Sequence, residues 1–160
     1  MTTEAILLVE DDADSAFFFT HTVEKLGIPN QVRVAKDGRQ ALDYLAGTGE
    51  FADREKHPFP GMVILDLKLP HCSGFEVLQT LRQRPETQKL IVLMLTSSAS
   101  DEDVARAYTL GVNAYLVKPL SLEKLGEIVH SIQSFWLTHN HPPPAGQPGG
   151  ATNPFDGFSQ

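Results

Sequence analysis

Cysteine occurs once in the 160 residues, as Cys72, so neither an internal disulfide nor a cysteine-rich zinc site can form, and a lone thiol suits a reducing cytoplasm. Long apolar runs are missing too. The opening MTTEAILLVEDD has an apolar centre of only Ile6 to Val9, closed at once by three acids, and reads as neither signal peptide nor membrane span. Basic residues are the scarcer charge: 13 Lys and Arg stand against 20 Asp and Glu, and the net charge of -7 repels a polyanion, which argues against direct nucleic-acid binding. No apolar run is followed by GxGxxG, or by GxxxxGK with Ser or Thr, so the common nucleotide-cradling loops are absent. No internal repeat is visible. What remains, with 41% hydrophobic and 21% charged residues, is a soluble chain of a size for one compact domain in the cytoplasm.

Four short apolar runs are present: Ile6 to Val9, Met62 to Leu65, Leu90 to Leu95 and Ala114 to Val117. None alternates cleanly, which is how strands buried on both faces of a parallel sheet read. A fifth run, Gln31 to Ala35, alternates and suits a place nearer the sheet edge. Helical spacing fills the intervals. Ala16, Phe19, Val23 and Leu26 form one stripe, ended by Gly27; Asp37-Gly38 leads into a second helix with Ala41, Leu42 and Leu45; Phe75, Val77, Leu78 and Leu81 mark a third, with Arg82 and Arg84 on its polar side. A fourth runs from Asp101 to Leu110, with Val104, Ala105 and Tyr108 inward and Gly111 as its stop. Ser121 caps a fifth, whose stripe continues from Leu122, Leu125, Ile128, Val129 and Ile132 to Phe135 and Trp136. This alternation predicts an α/β fold: a five-stranded parallel sheet with helices on both faces. Gly47 to Gly61 has no apolar period and reads as a long surface connection, while residues 139–160, rich in Pro and Gly, read as a disordered tail after a domain spanning 1–138.

In such sheets the functional crevice lies at the carboxyl ends of the strands. There the sequence places Glu10, Asp11 and Asp12 after the first strand, Asp66 after the third, Thr96 at the end of the fourth, and Lys118 before Pro119 after the fifth. Clustered carboxylates must take up protons or hold a hard cation, and an all-oxygen set favours Mg²⁺. An aspartate beside that cation is a plausible nucleophile toward phosphorus, with Thr96 and Lys118 placed to bind phosphoryl oxygens. An acid at one strand end is commonly a solvated turn residue; convergence at four strand ends marks a site.

Together, LLVEDD, DLKLPHCSG with Asp66, Pro70 and Gly74, LMLTSSAS with Thr96, and AYLVKPL resemble the receiver domain of two-component response regulators, the chemotaxis-regulator (βα)5 flavodoxin-like fold, over residues 5 to about 133. The resemblance implies that Asp66 is the phosphoacceptor, Asp11 a direct Mg²⁺ ligand, Glu10 a ligand through water and the Lys68 backbone carbonyl a third protein ligand. It implies that Thr96 and Tyr115 are the switch pair, that Lys118 pairs with the phosphoryl group, and that Lys118-Pro119 is cis. Asp12 falls outside the metal pair and reads as a loop acid. The Gly47 to Gly61 connection and the SIQSFWLT ending resemble a narrower group, the stand-alone regulators paired with bacterial phytochrome histidine kinases, whose members pair as homodimers through this helix. From this follow a histidine kinase partner, output by protein contact, and a homodimer interface at Phe135 and Trp136; the downstream target is not implied.

Rival readings meet specific obstacles. A phosphatase of the haloacid-dehalogenase-like type needs a second acid two residues after its nucleophile, where this chain has Lys68. A receiver fold used as a constitutive docking module would not need a complete site. His71 and Cys72 are too few for a transition-metal site, and His139 and His141 read as unliganded. Phe17 and Phe18 fall off the first helix's inward stripe, either packing locally or forming a docking surface for the kinase.

Overall fold

Side chains alternate along each strand, so Ile6 and Leu8 face one side of the sheet while Leu7 and Val9 face the other, and both sides are apolar. Such strands require cover on two faces. The computed structural model, which describes residues 4–144, supplies it. β1 (Ala5–Val9), α1 (Ala13–Lys25), β2 (Val32–Ala35), α2 (Gly38–Ala46), β3 (Pro60–Leu65), α3 (Gly74–Gln83), β4 (Ile91–Thr96), α4 (Asp101–Thr109), β5 (Ala114–Val117) and α5 (Leu122–Ile132) alternate along the chain. All strands are parallel, in the order β2-β1-β3-β4-β5. One core joins Leu7, Val63, Leu65, Val92 and Met94 to Tyr44, Phe75, Leu78 and Ala107 of α2, α3 and α4. The other joins Ile6, Leu8, Ile64 and Leu93 to Phe19 and Val23 of α1 and Val129 and Ile132 of α5.

Helix starts follow from side chains that satisfy free backbone N–H groups. Asp12, Asp37, Ser100 and Ser121 cap α1, α2, α4 and α5, and Ser73 with Glu76 forms a reciprocal capping box on α3. Asp12 is therefore accounted for: its carboxylate accepts from the N–H groups of Asp14 and Ser15.

Several elements differ from the sequence expectation. β5 is not buried on both faces but forms the second edge of the sheet, with Val117 exposed, because among the described residues no strand hydrogen-bonds beyond it. On α4 only Ala107 is buried; Ala105 is exposed and Tyr108 is 52% exposed, since a short helix over a sheet edge covers little surface. Leu26 and Leu122, at helix ends, are also exposed. The Gly47 to Gly61 connection carries a 3-10 turn at Gly49–Phe51, and its last two residues, Pro60 and Gly61, already belong to β3. Within it the Arg54 guanidinium donates to the carbonyls of Tyr44 (2.7 Å) and Leu45 (2.9 Å), closing the end of α2, and the Tyr44 hydroxyl donates to the Pro58 carbonyl. Arg82 does not lie on a solvated polar face; it is half-buried among carbonyls. Past Ile132 the chain continues in wider, π-type turns over Gln133–His139, so the helical path runs to His139. Most of the proposed tail, 145–160, lies outside the described residues. Among those described, no helix is long and apolar enough to cross a membrane.

Candidate functional site

The reversal of strand order about β1 opens a crevice at the carboxyl ends of β1 and β3. The parallel register brings Val9 beside Leu65, so the next residues, Glu10 and Asp66, leave their strands side by side. Carboxylate oxygens of Glu10, Asp11 and Asp66 all lie within 4.8 Å of one another. Glu10 is only 4% exposed and Asp66 6%, whereas Asp11 faces solvent. Opposite them, Lys118 Nζ donates to Glu10 Oε2 at 2.6 Å and to Asp66 Oδ2 at 2.8 Å. Its place follows from the β4–β5 pairing, which sets Thr96 beside Val117 and continues with the Lys118 N–H donating to the Thr96 carbonyl at 2.7 Å.

Burial pushes the Glu10 carboxyl above its ordinary range, and the neighbouring Asp66 charge adds to this, while the Lys118 hydrogen bond works against it. For Lys118 burial would lower the pKa, yet the hydrogen bonds and charges of Asp66 and Glu10 outweigh it and hold the ammonium above the usual lysine value.

Thr96 ends β4 at the same edge of the sheet. Its side chain is fully buried and Oγ1 has no hydrogen-bond partner, although buried hydroxyls are almost always paired. Tyr115 packs inward from β5 against the α3 and α4 core, and its hydroxyl donates to the Ser98 carbonyl at 2.9 Å. Burial raises the Tyr115 pKa; the Ser98 side chain works against it, and the Asp103 and Asp66 charges add to it.

The β3–α3 loop folds tightly under Asp66. A Cβ on Gly74 would lie 2.2 Å from the Asp66 carbonyl oxygen, so only glycine lets α3 start this close, and the Gly74 N–H donates to the Leu67 carbonyl. His71, exposed in this loop, adopts φ 68. Lys68 directs its N–H toward Asp66 Oδ1 at 3.4 Å. Glu10, Asp11, Asp66 and Lys118 thus meet at one crevice, with Thr96 at the neighbouring strand end and Lys68 adjoining it. Lys118-Pro119, expected cis, is trans like every described peptide bond; trans is the form favoured by about 0.5–1 kcal/mol for X-Pro. Phe135 and Trp136 sit beyond α5, away from the crevice: Trp136 packs against the chain's own α1–α5 core, whereas Phe135, edge-on to it at 4.9 Å, is 53% exposed. Sequence reasoning did not single out Ser98, whose carbonyl holds Tyr115 and whose hydroxyl donates to Asp103 at 2.5 Å; a serine in a polar loop carries no distinguishing signal.

Residues 6–130 match the family model of the response regulator receiver domain, and the chain belongs to that family. It is a receiver whose acidic pocket serves phosphotransfer signalling. The chain is 40% identical over 138 residues, 86% of each chain, to a probable methanogenesis regulatory protein, FilR2, of Methanothrix harundinacea. It is 36% identical over 134 residues to response regulator Rcp1 of Synechocystis, covering 84% of this chain and 89% of Rcp1. The Mn²⁺-bound crystal structure of Rcp1 superposes with a TM-score of 0.79 at 35% identity, over 88% of this chain and 99% of that one. The phosphorylated cyanobacterial phytochrome response regulator RcpA superposes at 0.82 with 31% identity, over 89% and 100%.

Proposed function

We propose that Asp66 accepts a phosphoryl group from the phosphohistidine of a two-component histidine kinase, in the cytoplasm, and that the phosphorylated chain signals by protein contact. The observation that carries this reading is a buried Asp66 that is paired with Lys118 and shares one crevice with the Glu10 and Asp11 carboxylates. A carboxylate oxygen of Asp66 forms the new O–P bond, the N–P bond to the kinase imidazole breaks, and the imidazole keeps the electron pair and takes up a proton. Lys118 neutralises one phosphoryl oxygen and Thr96 donates to another. The oxygen-only donors fit a hard divalent cation, with Asp11 and Asp66 as direct ligands, the Lys68 carbonyl beside them and Glu10 acting through water. Mg²⁺ in that place would offset the negative charge gathered on the transferred group. With Thr96 drawn toward the phosphoryl group, Tyr115 and the Ser98 loop form the pair through which the α4, β5 and α5 surface responds.

A kinase partner is supported by the groove of about 270 Å³ beside the site, which Phe18, Leu120, Leu122 and Leu125 line with Glu10 and Lys118. Phe17, 63% exposed and stacked on His21, extends its apolar rim along α1. Similarity to the cyanobacterial phytochrome response regulator RcpA supports a phytochrome-type kinase. Phosphotransfer from a panel of purified histidine kinases tests the reading: rapid preferential labelling by one kinase is expected, and absence of labelling from every kinase and from a small phosphodonor would leave the constitutive docking module in its place.

Metal dependence gives a separate expectation. Asp11→Asn removes a hard anionic ligand while relieving repulsion between carboxylates, so Mg²⁺ affinity should fall about tenfold or more even where the fold gains stability. Calorimetric titration checks this, and equal affinity in variant and wild type would count against Asp11 as a ligand.

A homodimer through the end of α5 completes the reading. A buried aromatic anchor at an interface commonly contributes about 2 kcal/mol or more on truncation, and Phe135 is the aromatic left facing outward there. Sedimentation of the intact protein should show a dimer at micromolar concentration, and the Phe135→Ala, Trp136→Ala double variant a monomer. A monomeric wild type, with and without phosphorylation, would overturn it.

A further inference from the structure

Arg82, on the last turn of α3, is half-buried, and among the described residues it forms no ion pair. Burial lowers its pKa, as for a cation with no anion beside it. Every branch of the guanidinium is spent on neutral acceptors instead. Nε donates to the Gly111 carbonyl at 2.9 Å, Nη1 to the carbonyls of Leu90 at 2.8 Å and Gln88 at 3.0 Å, and Nη2 to Asn113 Oδ1 at 2.9 Å. Such a fork joins three separate segments: the end of α3, the turn before β4 and the turn before β5.

Asn113 is the second half of the device. Its N–H donates to the Val92 carbonyl at 2.9 Å while its Oδ1 accepts from the Val92 N–H at 2.8 Å, as well as from Arg82. The side chain thereby extends the β4–β5 ladder by one rung in the place of a backbone carbonyl. This matters because β5 is four residues long, lies at the sheet edge and is at most half-buried, so polar anchors at its two ends carry much of its register. A one-residue slip would turn each β5 side chain to the opposite face. Counting from Asn113, the pairing runs Leu93 with Ala114 through Thr96 with Val117 and delivers Lys118 to Asp66 at the other end.

We infer that Arg82 and Asn113 are positioning residues for phosphoryl transfer, holding β5 in the register that places Lys118 at the site. The inference rests on the phosphoacceptor reading of Asp66 above. The proposed metal ligands stand after β1 and β3, so loosening β5 should separate two quantities that a general loss of structure would move together.

The full chain with Asn113→Ala, and separately with Arg82→Lys, is compared with wild type in three measurements: hydrogen exchange of the β5 amides, Mg²⁺ affinity, and the rate of labelling by a small phosphodonor at saturating Mg²⁺. Faster β5 exchange, Mg²⁺ affinity within about twofold and labelling slowed about tenfold or more are expected, since a misplacement of about 1 Å can cost a hundredfold in rate. Asn113→Asp keeps the accepting oxygen and should restore the wild-type rate. Unchanged labelling in a folded variant, or metal affinity and labelling falling in parallel, would overturn the inference. Should Asn113→Ala fail to fold, Arg82→Lys decides alone, because it keeps charge and stem and removes only the fork. Failure of the underlying reading shows differently: Asp66→Asn would label like wild type, while β5 exchange would still report whether the clamp holds the strand.

Discussion

Replacing Asp66 by Asn should reduce labelling by a small phosphodonor to background, a loss of about a hundredfold or more, because an amide oxygen is a far weaker nucleophile toward phosphorus than a carboxylate. The substitution is nearly isosteric and leaves the rest of the crevice in place. Lys118 keeps its 2.6 Å bond to Glu10. Folding should therefore be retained, and removal of one of two buried acids relieves repulsion instead of creating a defect. The label on the wild type should be sensitive to hydroxylamine, as an acyl phosphate is, and mass spectrometry should place it on Asp66. Label persisting in Asp66→Asn at the wild-type level, on Glu10 or Asp11, would assign the acceptor elsewhere.

The second large effect is expected from Lys118→Ala, in two measurements. Without the ammonium, Glu10 and Asp66 are left as buried acids with no cation, and breaking a buried ion pair from one side costs about 3–5 kcal/mol. The lysine side chain retains some solvent access, at 21%, so the lower end, about 3 kcal/mol, is expected in metal-free buffer above neutral pH. The loss should shrink on acidification. Burial already holds the Glu10 pKa above the ordinary 4.5, and removing Lys118 takes away the interactions that oppose that rise. A carboxyl whose folded-state pKa is raised contributes stability that is fully present below the unfolded value and is lost as pH climbs through the folded value. Urea unfolding at pH 5 and pH 8 should therefore show the variant closer to wild type at the lower pH. Added Mg²⁺ should recover part of the difference at pH 8 by binding the folded state alone. Phosphorylation should slow about a hundredfold, the usual scale for removing one group that stabilises developing charge. An unchanged rate would exclude Lys118 from the transfer step.

Much of this was legible before any coordinate was known, and the legible part has a common cause. Strand and helix signals are short-range: apolar runs of strand length, the 3.6-residue stripe of Ala16, Phe19 and Val23, and the capping chemistry of Ser121 act within a few residues. In a parallel α/β chain, strand ends converge at one edge, so Glu10, Asp66, Thr96 and Lys118 could be assembled by topology alone.

Other features depended on which side-chain tips meet across long stretches of chain. Arg82 looked like a solvated helix cation because its spacing places it off the apolar stripe, yet its long stem carries the guanidinium to Gly111 and Asn113, 29 and 31 residues away. Arg54 sat in a segment without periodicity and proved to close α2, since periodicity detects regular faces and not a single branched donor reaching back to carbonyls. Tyr108 and Ala105 have helical spacing but remain outward, because spacing records that a face exists and not how far the sheet extends beneath it. Phe135 and Trp136 are adjacent aromatics that no pattern separates; the wider turns after Ile132 direct Trp136 onto the α1–α5 core and leave Phe135 in solvent. The amino-acid sequence by itself determined the fold class, the strand ends and the chemical identity of the groups gathered there, because these follow from local backbone preference and parallel topology. Burial at the sheet edges, the two arginine clamps and the outward face of the last helix were decided only by tertiary packing, where the reach of one side chain and the footprint of one layer on the next set the outcome.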